Sequence, residues 1–529
     1  MKNKKYFYIT TPIYYASGNP HIGHAYATIS ADLIARYKRE IGKDVFFLTG
    51  TDEHGEKIQK NAEKAGLTPE QFVDNMANTF QKLWKDVGVS NDDFIRTTQQ
   101  RHVKVVQEVF SKLLANGDIY KGTYKGWYCT PCEAFYTDQQ LDENHCCPEC
   151  HREVHEESQE CYFLNCKKYL PQLLKFYEEH PEFVPNGKLK EMIKTFIEPG
   201  LDDLCITRTN FTWGIPVKED PKHVVYVWID ALLNYISALG YLSEDDSRFK
   251  KYWSEDAEIL QLAGREINRF HSIYWPILLF ALNLRLPDTI FIHGLLVTKA
   301  GTKLSKSLGN APSPYPIIER FGLDSLRYYI GSENSLANDG NFTPKQFVDR
   351  INNDLVNNYG NLVNRSINMI HKYFNDELPN VIEFKDEHSK ELINIIDENI
   401  EKYCEAFDNY EANVAFAAAM TIIDAANKYI EKTTPWTVSK EGNTELLAEI
   451  LYSLAEAIRV GSILLRPALI NKANEALDQL NVDESIRKFD SIHNHNSIKD
   501  LKVNKPVALF PRLDSEKEIE FLSDLIQVK

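Results

Sequence analysis

The chain has 529 residues, 43% of them apolar and 26% charged, and carries a net charge of −16; that is too long for one hydrophobic core and points to about two to four globular domains. It holds no apolar run of membrane-spanning length, and its lysine-rich start enters a strand without a signal-peptide core, so a cytoplasmic protein with no membrane partner is expected. The negative sum counsels against a nucleic-acid partner, although a whole-chain total can hide a local basic face.

Residues 6–11 are aromatic and β-branched and read as a buried strand. Residues 25–41 carry Ile29, Leu33, Ile34 and Tyr37 at helical spacing and stop at Gly42, and residues 45–48 read as the next strand. This is a βαβ unit whose crossover loop, Ser17-Gly-Asn-Pro20, would bring backbone N–H groups and a helix N-terminus to one point, a setting that binds phosphate. His21 and His24, three apart on the first turn, would face the same side and donate to phosphate oxygens. Gly50-Thr-Asp-Glu-His-Gly55 follows at the carboxyl end of the second strand, where Asp52 can hold a cationic amine or cap the next helix. Thr68-Pro-Glu-Gln71 marks a helix start, and helices are expected to about residue 87 and from about 99 to 116.

Seven of the nine cysteines then fall between Cys129 and Cys166. Cys129 and Cys132 form one C-x-x-C turn, Cys147 and Cys150 another, and 14 residues separate the two. In a reducing compartment four such thiolates match tetrahedral structural zinc. Cys146 competes with Cys147 for the register, but only Cys147 has C-x-x-C spacing to Cys150. Cys161 and Cys166 lie in an apolar stretch and read as packed thiols, ahead of a helix at about 169–180.

The α/β pattern resumes with a strand expected at 224–228 leading into a helix, a strand at 259–263 before a helix from Gly264, and a third at 289–294. Trp228, Tyr235 and His271 are thereby expected just past strand ends, on the ligand face with Asp52. Lys303 and Lys306 follow in a glycine-bounded loop, where paired ammonium groups suit the charge that grows on a leaving pyrophosphate. From Thr343 the chain reads as all helical, with a capping box at Thr343-Pro-Lys-Gln346 and further helices near 386–408, 412–432 and 443–465, an antiparallel bundle. Asn361 and Arg365 share one helical face, and Trp436 is expected in a loop after a helix end.

His21-Ile-Gly-His24 together with Lys303-Leu-Ser-Lys-Ser307 resembles the paired signatures of class I aminoacyl-tRNA synthetases. Pro12-Ile-Tyr-Tyr-Ala-Ser-Gly18, Gly50-Thr-Asp-Glu-His-Gly55, the cysteine turns, Tyr226-Val-Trp-Ile-Asp-Ala231 and Phe270-His-Ser-Ile-Tyr-Trp-Pro276 extend the likeness, which covers nearly the whole chain, to the methionyl-tRNA synthetase family. Two residues depart from its pattern: Leu304 where methionine is usual, and Glu266 where aspartate is usual near the ATP ribose. The resemblance implies a Rossmann-like, doubly wound parallel-sheet α/β catalytic domain in two halves (1–117 and 206–342), a connective insert with the zinc knuckle (118–205), a helical anticodon-binding bundle (343–500) and a tail that folds back on the body (501–529).

It also implies the chemistry: methionine and ATP give methionyl-adenylate, and the methionyl group passes to methionine tRNA. The ATP set would be His21, Gly23, His24, Glu266, His293, Gly294 and Lys306, with Lys303 and Lys306 on the pyrophosphate and Mg²⁺ bridging ATP oxygens. The methionine set would be Asp52 for the ammonium and Ile13, Tyr15, Trp228, Ala231, Tyr235, Ile267 and His271 around the side chain. Asn361, Arg365 and Trp436 match the family's anticodon-reading residues, and Cys129, Cys132, Cys147 and Cys150 its zinc ligands. Longer members carry a C-terminal extension that brings dimerisation; this chain stops shortly after Lys505-Pro-Val-Ala-Leu-Phe-Pro511, so a monomer is expected. Two other readings stay open: a class I synthetase for leucine or cysteine, and a non-catalytic zinc-containing RNA-binding relative.

Overall fold

The computed structural model describes residues 4–130, 132, 134–136, 138–148, 150–297, 311–333 and 335–526; Lys303, Leu304 and Lys306 lie outside them. The chain forms two compact units, one of Met1–Pro20, Asp44–Asp86 and Ser90–Gly294, the other of His21–Lys43, Val87–Val89 and Leu295–Lys529.

The first unit is built on a parallel sheet. Its strands are β1 (Tyr6–Thr10), β2 (Tyr14–Tyr15), β3 (Asp44–Asp52), β4 (Asp93–Arg96), β5 (Ala257–Gly264) and β6 (Thr289–His293). β1 pairs β3 on one side and β5 on the other, β5 pairs β6, and β3 also takes β4 and, at its last two residues, β2. Every pairing is parallel, so the inner strands are covered on both faces, and β5 and β6 are accordingly buried along their whole length. Gly50 is needed in β3 because a Cβ there would meet the Ile95 carbonyl oxygen of β4 at 2.0 Å. All the strands point the same way, which gathers Asp52, Gly264 and His293 at carboxyl ends.

The insert is antiparallel. Ile119–Cys129 pairs with His155–Leu164, which carries Leu204–Cys205 on its other edge, while Ala134–Tyr136 pairs the cysteine-bearing end. A separate small sheet joins Thr207–Arg208, Ile215–Pro216 and Val224–Val225. Here the strand expected at 224–228 is cut to two residues and lies outside the parallel sheet. The Tyr226 amide donates to the Ile206 carbonyl at 2.7 Å, and the chain then turns into the helix Val227–Ser237, with Asp230 favourably placed in its first turn. Trp228 is therefore helical and does not extend from a parallel strand.

The second unit packs the helices Glu387–Asp408, Ala412–Thr433 and Thr444–Leu465 on one another. Ile22–Glu40 and Leu323–Glu333 also belong to it, and a fully buried ion pair joins them: Arg327 Nη2 lies 2.6 Å from Asp32 Oδ2. Arg327 also donates to the carbonyls of Val87 and Pro467, at 3.0 and 2.8 Å. The helix expected to run on from Thr343 is α-helical over Pro344–Arg350, becomes a wide π-helix over Ile351–Gly360, and resumes as Asn361–Phe374. Gly360 fits that widening, since a Cβ there would lie 2.8 Å from the carbonyl oxygen of Leu355, five residues back. Asn352 exchanges two hydrogen bonds with the Leu513 backbone, and Arg320 donates from Nε and Nη2 to the two carboxylate oxygens of Glu518, fastening the C-terminal segment to this unit. Among the described residues no helix is long and apolar enough to cross a membrane.

Candidate functional site

His21 is the N-cap of Ile22–Glu40 rather than a member of its first turn. Its Nδ1 accepts the Gly23 amide at 3.1 Å, and His24 Nδ1 accepts the His21 amide at 3.1 Å. The two rings lie 3.9 Å apart. Each Nδ1 is an acceptor in the cap, so a neutral ring carries its proton on Nε2 and presents a donor there. A Cβ on Gly23 would press on the His21 ring at 3.0 Å.

In the first unit, Asp52 ends β3 in register with Tyr15 of β2, and its carbonyl accepts the Ala16 amide at 2.8 Å. The residues after it are locked. The buried Glu53 carboxylate takes Arg96 Nε at 2.7 Å and Thr51 Oγ1 at 2.7 Å, and its carbonyl takes Trp213 Nε1 at 2.6 Å. Tyr235 on Val227–Ser237 donates its hydroxyl to His271 Nε2 at 2.7 Å, while His271 Nδ1 faces the Ile267 carbonyl at 3.0 Å. That pair of contacts fixes the tautomer with the proton on Nδ1. Burial pushes the His271 imidazole down to about 4, so it is neutral at neutral pH. Trp228 stacks flat on Phe270 at 3.5 Å. Ala231 is buried, and Ile13, Trp228 and Ile267 pack half-buried against the main core. Tyr15 has the Lys57 ammonium 5.5 Å above its ring.

Glu266 lies on the single turn Arg265–Ile267 and folds its carboxylate back over Gly264, where a Cβ would meet Oε2 at 2.6 Å. Gly264 is in register with His293, whose Nδ1 lies 2.7 Å from the Gly294 carbonyl. Glu266, His293 and Gly294 thus gather at two adjoining strand ends.

The four sulfurs of Cys129, Cys132, Cys147 and Cys150 lie within 4.8 Å of one another. The Cys129–Cys150 and Cys132–Cys147 separations are 3.6 and 3.8 Å. A zinc tetrahedron with ~2.3 Å bonds has sulfur–sulfur edges of about 3.8 Å, so the donor set and its spacing fit that ion. Hydrogen bonds from Cys129, Cys132 and Cys150 hold the Cys147 thiol far below its ordinary range. Cys146 is outside the cluster, its amide tied to Asp142 Oδ1 at 2.9 Å. Cys161 and Cys166 are buried thiols.

In the second unit, Asn361 and Arg365 line a groove of about 650 Å³ rich in amides, including Asn357, Asn358 and Asn427. Arg365 Nη2 lies 2.7 Å from Glu431 Oε1. Trp436 is not in a loop. Thr434 adopts a left-handed conformation (φ 42°) that ends one helix, and Pro435 opens the next, Pro435–Lys440, with Trp436 as its second residue and 36% exposed.

Residues 7–161 and 155–367 match the model of class I tRNA synthetases (M), and residues 379–524 match that of the anticodon binding domain of methionyl tRNA ligase. The chain is 48% identical to methionine–tRNA ligase of Bacillus subtilis over 98% of its own length and 80% of that protein's. It belongs to the methionine–tRNA ligase family. Methionine–tRNA ligase of Halalkalibacterium halodurans is 46% identical, over 99% of this chain and 81% of that protein. Among solved structures, Mycobacterium tuberculosis methionyl-tRNA synthetase in complex with methionyl-adenylate superposes with a TM-score of 0.91 at 35% identity, covering 96% of this chain and all of that one. The family settles the fold class as expected and removes the leucine, cysteine and non-catalytic readings.

The surroundings of this site carry little mark in the sequence. Arg208, fully buried, stands 4.2 Å from the ring centres of both Tyr128 and Phe135 and 4.9 Å from that of Tyr226. No short motif marks such a cage, because its rings come from separate strands and loops. Glu53 and His54 lie inside Gly50-Thr-Asp-Glu-His-Gly55, where every position, not only Asp52, is polar or glycine.

Proposed function

We propose that the chain activates methionine with ATP and transfers the methionyl group to the 3′-terminal ribose of initiator and elongator methionine tRNA. In the first step a methionine carboxylate oxygen attacks the α-phosphorus of ATP, and the bond to the bridging oxygen breaks to release pyrophosphate. In the second the terminal ribose hydroxyl attacks the carbonyl carbon and AMP leaves. No covalent enzyme intermediate is needed, so the protein positions groups and stabilises charge.

The observation that carries this reading is the Tyr235–His271 pair beside the Trp228–Phe270 stack, at the end of the sheet that bears Asp52. Asp52 holds the substrate ammonium. Ile13, Tyr15, Trp228, Ala231, Tyr235, Ile267 and His271 enclose the side chain, whose thioether is apolar and polarisable and suits aromatic walls. A neutral His271 with both nitrogens committed places no cation in that pocket. His21 and His24 would donate from Nε2 to the phosphates beside Gly23; Glu266, His293 and Gly294 would serve the nucleoside; Lys303 and Lys306 would neutralise the leaving pyrophosphate; Mg²⁺ brought in with ATP would add positive charge against the phosphates. The same reading carries the domain limits expected from sequence, a cytoplasmic location and a monomeric state as proposals, the last open to light scattering.

Cys129, Cys132, Cys147 and Cys150 would hold one structural Zn²⁺ per chain, which would cross-link the two ends of the loop between Ile119–Cys129 and His155–Leu164. Cys147→Ser should lose the metal and Cys146→Ser keep it, as read by elemental analysis; the reverse pattern would put the register one residue off.

Trp436, Asn361 and Arg365 read the anticodon. Exposed loop bases are recognised by stacking on aromatics and by hydrogen bonds to their edges, and stacking one base contributes about 1–3 kcal/mol. Trp436→Ala should therefore slow tRNA charging by roughly five- to a hundredfold while methionine-dependent pyrophosphate exchange continues. Equal loss of both activities, or of neither, would remove Trp436 from the reading set.

A further inference from the structure

The helix Val227–Ser237 has two working faces. Trp228, Ala231 and Tyr235 recur at helical spacing on the face given above to methionine, and Asp230, Asn234 and Ser237 follow one another on the adjacent face. Asp230 is wholly buried, and its two carboxylate oxygens are taken by different histidines. His54 Nδ1 lies 2.6 Å from Oδ2, and His102 Nε2 lies 2.7 Å from Oδ1. The second nitrogen of His102 reaches Ser237 Oγ at 2.7 Å, two turns further along the same helix. His54 is two residues beyond Asp52, and its ring packs 5.5 Å from that of Trp213, which is bonded to the Glu53 carbonyl.

We propose that His54 and His102 clamp Asp230 so that the helix lining the methionine side-chain pocket is held in register with the strand end that bears Asp52, making His54 a positioning residue for methionine. The geometry leaves little slack. His102 fixes the helix at two points a full two turns apart, which sets its roll about its own axis, and His54 ties that fixed helix to the segment two residues from the ammonium-binding carboxylate. Burial works against the Asp230 carboxylate, but the charge and hydrogen bonds of the two histidines outweigh it and keep the group ionised, as a clamp of two N–H donors requires. Asp52 and the pocket helix come from strands and helices far apart in sequence, so their relative placement has to be built by such a cross-tie. Neither histidine touches substrate in this scheme. The expected signature is a loss confined to methionine.

The inference rests on the reading that this pocket binds methionine. The test compares wild type, His54→Ala, His54→Asn and Ser237→Ala by methionine-dependent pyrophosphate exchange and by tRNA charging, with KM measured separately for methionine, ATP and tRNA. His54→Ala removes one charge-assisted hydrogen bond and should raise KM for methionine about tenfold or more, leaving the KM values for ATP and tRNA within about twofold. Asparagine places an N–H donor where Nδ1 stands, so His54→Asn should recover most of that loss. Ser237→Ala leaves the carboxylate paired and keeps the test open should His54→Ala fail to fold; it should raise KM for methionine alone, by about threefold. A fall in kcat with every KM held, an equal rise in all three KM values, or an asparagine variant no better than alanine would overturn the clamp. Wild type without methionine-dependent exchange would overturn the pocket reading and the clamp with it, whereas normal KM values in all the variants would overturn the clamp alone.

Discussion

Asp52→Ala should abolish most methionine activation. The carboxylate ends a strand that is buried along nearly its whole length, and Asp52 is itself shielded from solvent. Truncating one partner of a buried, hydrogen-bonded charge pair costs about 2–5 kcal/mol, much of it from the charge left unpaired. In kcat/KM for methionine-dependent exchange this is roughly a thirtyfold to several-thousandfold loss. Asp52→Asn should sit between the two, since it keeps the acceptor and loses the charge. An alanine variant within about threefold of wild type would take Asp52 out of the ammonium site.

The largest expected effect on stability falls on Arg327. Its guanidinium is buried, and its pKa is pushed down by that burial even with Asp32 alongside. Arg327→Ala would strand the Asp32 carboxylate with Arg36, whose Nε lies 2.6 Å away, and would leave the Val87 and Pro467 carbonyls without this donor. Breaking a buried pair on one side costs about 3–5 kcal/mol, and the surviving Arg36 contact places this case at the lower end. For a unit of this size that is a drop of roughly ten degrees in melting temperature. The double variant Arg327→Met with Asp32→Leu should recover much of it, because an apolar pair of similar volume has no charge to desolvate. A single variant that melts with wild type would mean that the pair is spare.

The parts of this molecule that were legible in sequence are those whose partners are close in sequence. The C-x-x-C spacing alone separates Cys147 from Cys146, because the cysteines of a tight turn present both sulfurs to one point. Strands β1, β3, β5 and β6 were legible because a strand buried on both faces must be continuously apolar. Asp230 was not legible as a hub: its partners His54 and His102 lie 176 and 128 residues away, and each alone reads as an ordinary core histidine. The end of the strand at Val225 is hidden in sequence because apolar periodicity cannot tell a buried strand from the first turn of a buried helix. Trp436 reads as a loop residue because a helix end at Thr434 is visible in sequence, whereas a new helix of only six residues opened by Pro435 is not. The widening over Ile351–Gly360 is likewise silent, since its asparagine-rich stretch keeps an ordinary helical pattern of apolar residues.

The central claim is that this pocket selects methionine for activation by ATP. Exchange of labelled pyrophosphate into ATP, run with each amino acid in turn, tests it most directly, because it isolates the first step and needs no tRNA. Methionine alone should drive efficient exchange. Exchange driven equally well by leucine or cysteine, or none with methionine, would contradict the account.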